Sequence, residues 1–154
     1  MMNSVRVVGI VGAGTMGNGI AQACAVAGIQ AVMVDISEAA VSKGLATVAG
    51  SLDRLVKKEK IGEADKAAAL ARITGSTDYA ALKTAQIVIE AATENVDLKV
   101  RILQQLDALV APDVIIASNT SSISITRLAA TTSRADRFIG MHFFNPVPMM
   151  ALVE

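Results

Sequence analysis

The 154-residue sequence has no tryptophan, one cysteine and one histidine, and aromatic residues make up only 3% of it. Few aromatics leave few surfaces on which bases could stack, and 14 basic side chains balanced by 14 acidic ones give no cationic field. Nucleic acid is therefore not expected as a partner. Hydrophobic residues reach 53%, but no apolar run approaches the roughly 20 residues of a membrane span. A membrane partner is not expected either.

Cysteine is too scarce to support a disulfide or a metal site. Cys24 has no second thiol to pair with and no neighbours at metal-ligand spacing, so neither is expected. Glycines interrupt the apolar opening of the chain, which argues against a signal peptide. These features predict a cytoplasmic protein without a bound metal.

Short apolar runs alternate along the chain with segments of helical periodicity. Continuous apolar runs are typical of strands buried on both faces of a parallel sheet. The alternation predicts one α/β domain over residues 1–154, with a doubly wound, mostly parallel sheet. The predicted strands are Val5–Val11, Gln30–Asp35, Ile87–Ala91, Val114–Ala117 and Phe138–His142, and the predicted helices are Thr15–Ala27, Glu38–Lys60 and Val96–Val110.

Capping residues flank several of these segments. Ser37 is placed to cap the second helix and Gly28 to end the first. Ser118 or Ser122 is expected to cap a further helix that starts near Ile123. Residues 149–154 predict the start of another strand, and since the chain stops there without a turn or a cap, we expect the natural sequence to continue.

A glycine-rich turn follows the first predicted strand. Gly12, Gly14 and Gly17 stand in G-x-G-x-x-G register between that strand and an alanine-rich helix. Gly12 allows the tight turn, Gly14 removes a Cβ that would obstruct a pyrophosphate, and Gly17 allows close packing of helix and strand. Asp35 ends the second strand, near the ~20-residue offset at which an acid binds the adenine ribose. The pattern predicts a Rossmann-type dinucleotide site, and because Asp35 would repel a 2′-phosphate, NAD is preferred over NADP.

His142 is the one histidine of the sequence, so it is the natural candidate for a base that titrates near neutral pH. A single histidine is more often structural, but this one ends a predicted strand, and open α/β sheets bind ligands at the carboxyl ends of their strands. Glu154 ends the next apolar stretch. The two side chains could meet at adjacent strand tips, where the carboxylate would orient the imidazole.

Four motifs follow one another along the chain: Gly-Ala-Gly-Thr-Met-Gly at 12–17, Glu-Ala-Ala-Thr-Glu-Asn at 90–95, Ser-Asn-Thr-Ser-Ser at 118–122 and Met-His-Phe-Phe-Asn-Pro-Val-Pro at 141–148. In this order they resemble the 3-hydroxyacyl-CoA dehydrogenases, especially the bacterial 3-hydroxybutyryl-CoA dehydrogenases. The resemblance covers the whole chain. It implies an NAD-dependent oxidoreductase that interconverts 3-hydroxyacyl-CoA and 3-oxoacyl-CoA with short acyl chains.

The resemblance also implies roles for individual residues. It makes His142 the catalytic base, Glu154 its partner, and Ser121 a contact for both substrate and nicotinamide. Without the resemblance, Glu94 would be interpreted as a capping acid and Lys99 as a solvated helix charge. The residues that it implies along the NAD site are Gly12, Ala13, Gly14, Thr15, Met16, Gly17, Asp35, Glu94, Lys99, Ser121 and Asn145.

Ser51 and Lys58 are seven residues apart on the second predicted helix and so share one face. The matching family positions hold the coenzyme A portion of the substrate. Lys58 also belongs to a basic group near a helix C-terminus, where it would serve the helix dipole and solubility. The residues alone leave both interpretations of Lys58 open.

Members of the family continue into a helical second domain that completes the substrate pocket, supplies an asparagine to the active site and forms most of the dimer contact. The resemblance implies that this helical domain is absent here, and that a full-length form would be a homodimer through it. Two alternatives stay open: an NAD-binding domain that turns nothing over, and a Rossmann dehydrogenase of another hydroxy acid or a sugar nucleotide. Measurable turnover would exclude the first alternative, and dependence of the activity on coenzyme A would exclude the second.

Overall fold

Strands and helices alternate over residues 4–154, which a computed structural model describes. The strands are β1 (Val7–Val11), β2 (Gln30–Val34), β3 (Ile73–Ser76), β4 (Ile87–Glu90), β5 (Ile115–Ser118) and β6 (Phe138–Gly140). The helices are α1 (Thr15–Val26), α2 (Glu38–Lys57), α3 (Glu63–Ala71), α4 (Val96–Leu109) and α5 (Ile125–Ala129). Short 3₁₀ helices span Tyr79–Thr84, Ala135–Arg137 and Val147–Met149.

Within this range the strands form one parallel sheet in the order β3-β2-β1-β4-β5-β6. The chain runs outward from β1 to β3, crosses back to place β4 beside β1, and then runs outward to β6. The strand order therefore reverses between β1 and β4, and sheets of this kind bind ligands in the crevice at that point. The predicted α/β class with a doubly wound parallel sheet is confirmed.

Helices cover both faces of the sheet. On one face α1 packs over β1 and β2, where Ile10, Ile20 and Met33 are fully buried. On the other face α4 packs against β4 and β5, where Leu103 and Ile116 are fully buried. Because both faces are covered, the central strands are continuous apolar runs and not alternating ones.

The predicted elements are found with ends that shift by up to three residues, whereas α3 and β3 are not predicted. β3 lies at an edge of the sheet, and its sequence Ile-Thr-Gly-Ser has a single large apolar residue. The strand predicted at residues 149–154 is wrong. Val147–Met149 form a 3₁₀ turn, and Val153 pairs with Phe143 in an isolated antiparallel bridge.

The predicted caps are confirmed for two helices and wrong for the third. Ser37 Oγ accepts a hydrogen bond from the Ala40 backbone N–H at 3.2 Å, and Gly28 follows α1 with a φ of 87°. The expectation that Ser118 or Ser122 caps a helix near Ile123 is wrong. That helix is α5, which begins two residues later and is capped by Ser124.

Cys24 is a free, half-buried thiol on α1, and burial raises its pKa to about 11. Such a thiol is mostly protonated and a poor nucleophile. Among residues 4–154 no helix is long and apolar enough to cross a membrane. The same residues contain no group of three or more side chains that could hold a metal ion.

Candidate functional site

The glycine-rich turn joins β1 to α1 at the crevice where the strand order reverses. Gly12 has a φ of 110°, and a Cβ added there would lie 2.6 Å from the Ala91 carbonyl oxygen. A Cβ added to Gly17 would lie 1.8 Å from the Gly12 carbonyl oxygen. Backbone packing therefore requires both glycines. Gly14 differs, because a Cβ there would meet no atom within 4 Å.

The amino end of α1 is open to an anion. Its first turn has no acidic residue, and Gly14 at the N-cap has no side chain that could accept from the helix N–H groups. The first N–H groups of a helix lack intrahelical partners and carry the positive end of its dipole. Gly14, Thr15 and Met16 border the same crevice as Ala91 and Glu94. The turn therefore fits a pyrophosphate, which needs N–H donors and free space above Gly14.

Asp35 follows β2 at the same edge of the sheet. Its Oδ2 accepts a hydrogen bond from the Ala13 backbone N–H at 2.9 Å, which holds the carboxylate against the glycine turn. Burial raises the pKa of Tyr79, and the carboxylates of Asp35 and Glu90 raise it further. The Asp35 carboxylate places a negative charge on this side of the crevice, where it favours a ribose diol over a phosphate.

Lys99 is buried, so its interpretation as a solvated helix charge is wrong. The side chain is 1% exposed, and its ammonium contacts the fully buried carboxylate of Glu90 at the end of β4. Glu90 Oε1 also accepts from Ser118 Oγ at 2.8 Å, and Oε2 accepts from the Ala92 backbone N–H at 2.9 Å. This pair joins the ends of β4 and β5 to α4, and Lys99 is also one of the residues that line the crevice.

Glu94 links two loops of the crevice and does not cap α4. Asn95 is the cap, since its side chain accepts a hydrogen bond from the first turn of that helix. Glu94 Oε2 accepts from Thr120 Oγ1 at 2.9 Å and from Ser122 Oγ at 3.3 Å. Ser121 lies between these two hydroxyl residues and is exposed. Its loop is thereby fixed from both sides while its own side chain stays accessible.

His142 and Glu154 lie side by side. The His142 backbone N–H donates to the Glu154 carbonyl oxygen at 2.8 Å, and the Glu154 N–H donates to the His142 carbonyl oxygen at 2.9 Å. Imidazole Nδ1 lies 3.9 Å from Glu154 Oε2, and the ring is 4.5 Å from that of Phe144 between centroids. The two side chains lie close together, as predicted. They are brought together by antiparallel pairing of the segments around Phe143 and Val153, and not by the ends of adjacent strands.

A cleft between α1 and α2 adjoins the glycine turn. Ser51 and Lys58 line it together, as their spacing predicts. Thr15 and Asn145 line the same cleft, so it extends from the end of α2 to the beginning of α1. The cleft and the crevice share Thr15, and a ligand in one can therefore approach a ligand in the other.

The buried polar residues of the site that are absent from the sequence-based candidates include Glu90, Thr120 and Gln22. Glu90 could have been identified from the sequence, because it ends an apolar strand and a buried carboxylate there must have a partner. No sequence pattern identifies Thr120 or Gln22. Their hydrogen-bond partners come from other elements, which only the folded chain brings near.

A doubly wound sheet with a glycine-rich turn at the strand-order reversal, a free helix N-terminus above it and an acid after β2 defines a dinucleotide-binding domain. More closely, the chain belongs to the 3-hydroxyacyl-CoA dehydrogenase family. Residues 7–154 match the model of that family's NAD-binding domain. The cofactor of the domain is NAD, and the family acts on acyl-CoA substrates.

Similar proteins and a solved structure support the assignment to this family. The chain is 48% identical over 150 residues to a 3-hydroxybutyryl-CoA dehydrogenase of Bradyrhizobium diazoefficiens, covering 97% of this chain and 51% of that protein. It is 45% identical over 157 residues to the mitochondrial hydroxyacyl-coenzyme A dehydrogenase of Rattus norvegicus, and the match covers 97% of this chain and 50% of that protein. The crystal structure of (S)-3-hydroxybutyryl-CoA dehydrogenase from Ralstonia eutropha matches with a TM-score of 0.96 at 78% identity, covering 97% and 53%. The chain spans about half the length of these relatives.

Proposed function

We propose that the chain is the NAD-binding part of a dehydrogenase that interconverts (3S)-3-hydroxyacyl-CoA and 3-oxoacyl-CoA. The observation that carries the proposal is the pairing of His142 with Glu154, three residues before Asn145 in the cleft that adjoins the dinucleotide crevice. Relatives named 3-hydroxybutyryl-CoA dehydrogenase, at 48% and 78% identity, support a short acyl chain, with 3-hydroxybutyryl-CoA and acetoacetyl-CoA as the substrate pair.

Bound NAD supplies the acceptor for the hydride that leaves C3 of the hydroxyacyl group. The glycine turn would hold its pyrophosphate through Ala13, Gly14, Thr15, Met16 and the close approach that Gly12 and Gly17 allow. Asp35 would accept from the adenine ribose. At the other end of the crevice Glu94, Lys99, Ser121 and Asn145 would border the nicotinamide half.

His142 would act on the proton of the C3 hydroxyl. Nδ1 is the nitrogen nearer Glu154, so Nε2 is the one available to accept that proton as the C3–H bond breaks. Glu154 would hold the ring and offset the positive charge of the imidazolium. A positioned base of this kind typically contributes about 10²–10⁴-fold to the rate.

Ser121 would donate a hydrogen bond to the oxygen on C3. Its hydroxyl is exposed between two residues that are both anchored to Glu94, so the loop is ordered before substrate arrives. Preorganised donors of this type stabilise the charge that develops on a reacting oxygen.

Ser51 and Lys58 would hold the coenzyme A portion in the cleft between α1 and α2. The ammonium of Lys58 suits a phosphate, and the hydroxyl of Ser51 suits a neutral or charged acceptor. The same cleft leads toward Asn145, which would place the acyl end of the substrate near the nicotinamide.

The relatives are about twice as long as this chain, and we propose that a further helical domain completes the pocket and forms a homodimer contact. Hydride transfer needs reacting atoms held about 3–3.5 Å apart, which one wall of a cleft does not provide. The 154-residue chain is therefore expected to bind NADH but to reduce acetoacetyl-CoA very poorly. A cytoplasmic location stays a prediction.

Following NADH absorbance with acetoacetyl-CoA tests the function. The comparison is between this chain and a version extended by the second half of the Ralstonia eutropha relative. The extended enzyme should be active and should lose about 10²–10⁴-fold of its kcat on His142→Ala, with NADH affinity unchanged. Vigorous turnover by the short chain would refute the two-part pocket, and an unaffected His142→Ala enzyme would remove the assigned role of His142.

Two rival functions give different results in the same assay. A domain that only binds NAD gives no turnover even when extended. A dehydrogenase of another hydroxy acid would reduce free acetoacetate or a related acid as readily as acetoacetyl-CoA, because coenzyme A would then contribute no binding energy.

A further inference from the structure

Gln22 is a buried amide on the α1 wall of the cleft between α1 and α2. The residue is 2% exposed, and it lies among small and apolar residues of a helix that packs against the sheet. Burying an amide without partners is costly. Its presence therefore calls for a specific hydrogen bond, and the structure supplies one across the cleft.

The partner is Ser51 on α2. Gln22 Nε2 donates a hydrogen bond to Ser51 Oγ at 3.0 Å. A serine hydroxyl has one proton and two acceptor sites, so the contact with Gln22 uses an acceptor site and leaves the proton free. Within residues 4–154 no protein group accepts that proton, and Ser51 lines the cleft.

Thr47, one turn earlier on α2, has the opposite arrangement. Its Oγ1 donates to the Lys43 carbonyl oxygen at 2.9 Å, so its proton is already used, although the side chain lines the same cleft. Arg54 on α2 and Lys58 just after it also line the cleft, and their side chains have donors but no acceptor atoms. Ser51 keeps its proton and one acceptor site, so this wall of the cleft consists mainly of donors.

We propose that Gln22 is a positioning residue for substrate binding, which commits the Ser51 hydroxyl to donating its proton to an acceptor of the coenzyme A portion. The inference rests on the proposed function. Gln22 does not touch the reacting atoms and acts through Ser51. The ligand group beside Ser51 is accordingly an acceptor, either an amide carbonyl or a phosphate oxygen.

The test is a double-mutant cycle on coenzyme A binding by the 154-residue chain, measured by calorimetry. Gln22→Met keeps the length of the side chain but loses its donor, and Ser51→Ala removes the hydroxyl. Each should weaken coenzyme A binding about three- to tenfold, the range expected for one hydrogen bond. In the Ser51→Ala background, Gln22→Met should have no further effect, because its target is gone.

Two controls separate this role from a loss of structure. NADH affinity should stay within about twofold of the wild type in every variant, since a helix shift would disturb the glycine turn at the other end of α1. Thr47→Val should leave coenzyme A affinity nearly unchanged, because the Thr47 proton is not available to a ligand.

Three results would overturn the proposal. The first is an unchanged or tighter coenzyme A affinity on Gln22→Met, as expected if the amide oxygen, and not the amide nitrogen, faced Ser51. The second is that the effects of Gln22→Met and Ser51→Ala on the free energy of coenzyme A binding add up in the double variant. The third is a loss of NADH affinity as large as the loss of coenzyme A affinity. Failure of the wild-type chain to bind coenzyme A at all would instead refute the placement of the coenzyme A portion in the cleft between α1 and α2, and the acetoacetyl-CoA assay of the extended enzyme tests the substrate class separately. Pantetheine, which lacks the phosphates, tells the two kinds of acceptor apart.

Discussion

Gly14 and Gly17 belong to one motif, yet the structure assigns them different physical tasks, and paired substitutions can separate the two. A Cβ at Gly17 would lie 1.8 Å from the Gly12 carbonyl oxygen, whereas an ordinary contact begins at 3.4 Å. Relieving the clash requires α1 to move from the turn by about 1.6 Å. A Cβ at Gly14 meets no atom within 4 Å, and the residue has a φ of −70°, which any side chain can adopt.

Gly17→Ala should therefore destabilise the fold. Overpacking of this kind costs about 1–3 kcal/mol and sometimes more, and the backbone on both sides of the clash leaves little room to relax. For about 3 kcal/mol in a domain of this size the melting temperature should fall by about 6–12 °C. Thermal unfolding followed by circular dichroism measures the shift without any ligand.

Gly14→Val should leave the fold intact and strongly weaken cofactor binding. Its branched side chain would occupy the space above the amino end of α1, and the pyrophosphate would lose its backbone donors. Two hydrogen bonds to a charged group at ~1.5 kcal/mol each amount to ~3 kcal/mol, or about 10²-fold in the NADH dissociation constant. Fluorescence or calorimetric titration with NADH measures it.

Gly17→Ala should change mainly the stability, and Gly14→Val should change mainly the NADH affinity. A Gly17→Ala protein with the wild-type melting temperature would mean that the turn is looser than its geometry indicates. A Gly14→Val protein that folds normally and still binds NADH like the wild type would show that the glycine turn is not the phosphate site. If both variants lost stability equally, the distinction between packing and ligand access would be refuted.

Three further predictions concern charged side chains. Asp35→Ala should narrow the difference between NADH and NADPH affinity, because the carboxylate no longer repels a 2′-phosphate; an unchanged ratio in calorimetric titrations of both cofactors would contradict this. Lys99→Met should cost about 3–5 kcal/mol of unfolding free energy by leaving Glu90 buried without its partner, and adding Glu90→Gln should restore part of it in urea unfolding. At Asp107, burial alone would raise the carboxyl pKa, but hydrogen bonds from Ser133 and Arg134 outweigh it and lower the pKa. Its stabilising effect is thus present above the ordinary aspartate value of about 4 and is lost as the pH falls below it, so Asp107→Asn should flatten the acid limb of the stability profile.

Most of the sheet could be predicted from the sequence because its central strands are buried on both faces. β1, β2, β4 and β5 are short apolar runs between turn residues, and such runs have few other interpretations. β3 escaped prediction because an edge strand needs less apolar surface, and Ile-Thr-Gly-Ser has little. The strand expected at residues 149–154 failed for a different reason, since its apolar residues lie exposed on a returning segment.

The candidate site could be predicted where its residues belong to local patterns. The glycine turn and Asp35 follow from strand, turn and helix in sequence, and the hydrogen bond from the Ala13 N–H to Asp35 joins them as expected for one site. Thr120 and Gln22 could not be found in this way. Each is an ordinary polar residue whose role is set by a single partner on a distant segment, Glu94 for the first and Ser51 for the second.

Lys99 is an intermediate case. The helical pattern of α4 indicates that its side chain is buried, but the general rule that lysine is exposed argues against that prediction. Lys99, Ile102, Leu103 and Leu106 are the buried residues of α4, and their spacing of three and four positions is that of one helical face. A lysine on that face is normally discounted, since lysine is almost never fully buried unless it is paired. Glu90, a carboxylate at the end of an apolar strand, has the matching need for a cation. Two buried charges of opposite sign, each improbable alone, become probable together when the strand order places β4 beneath α4.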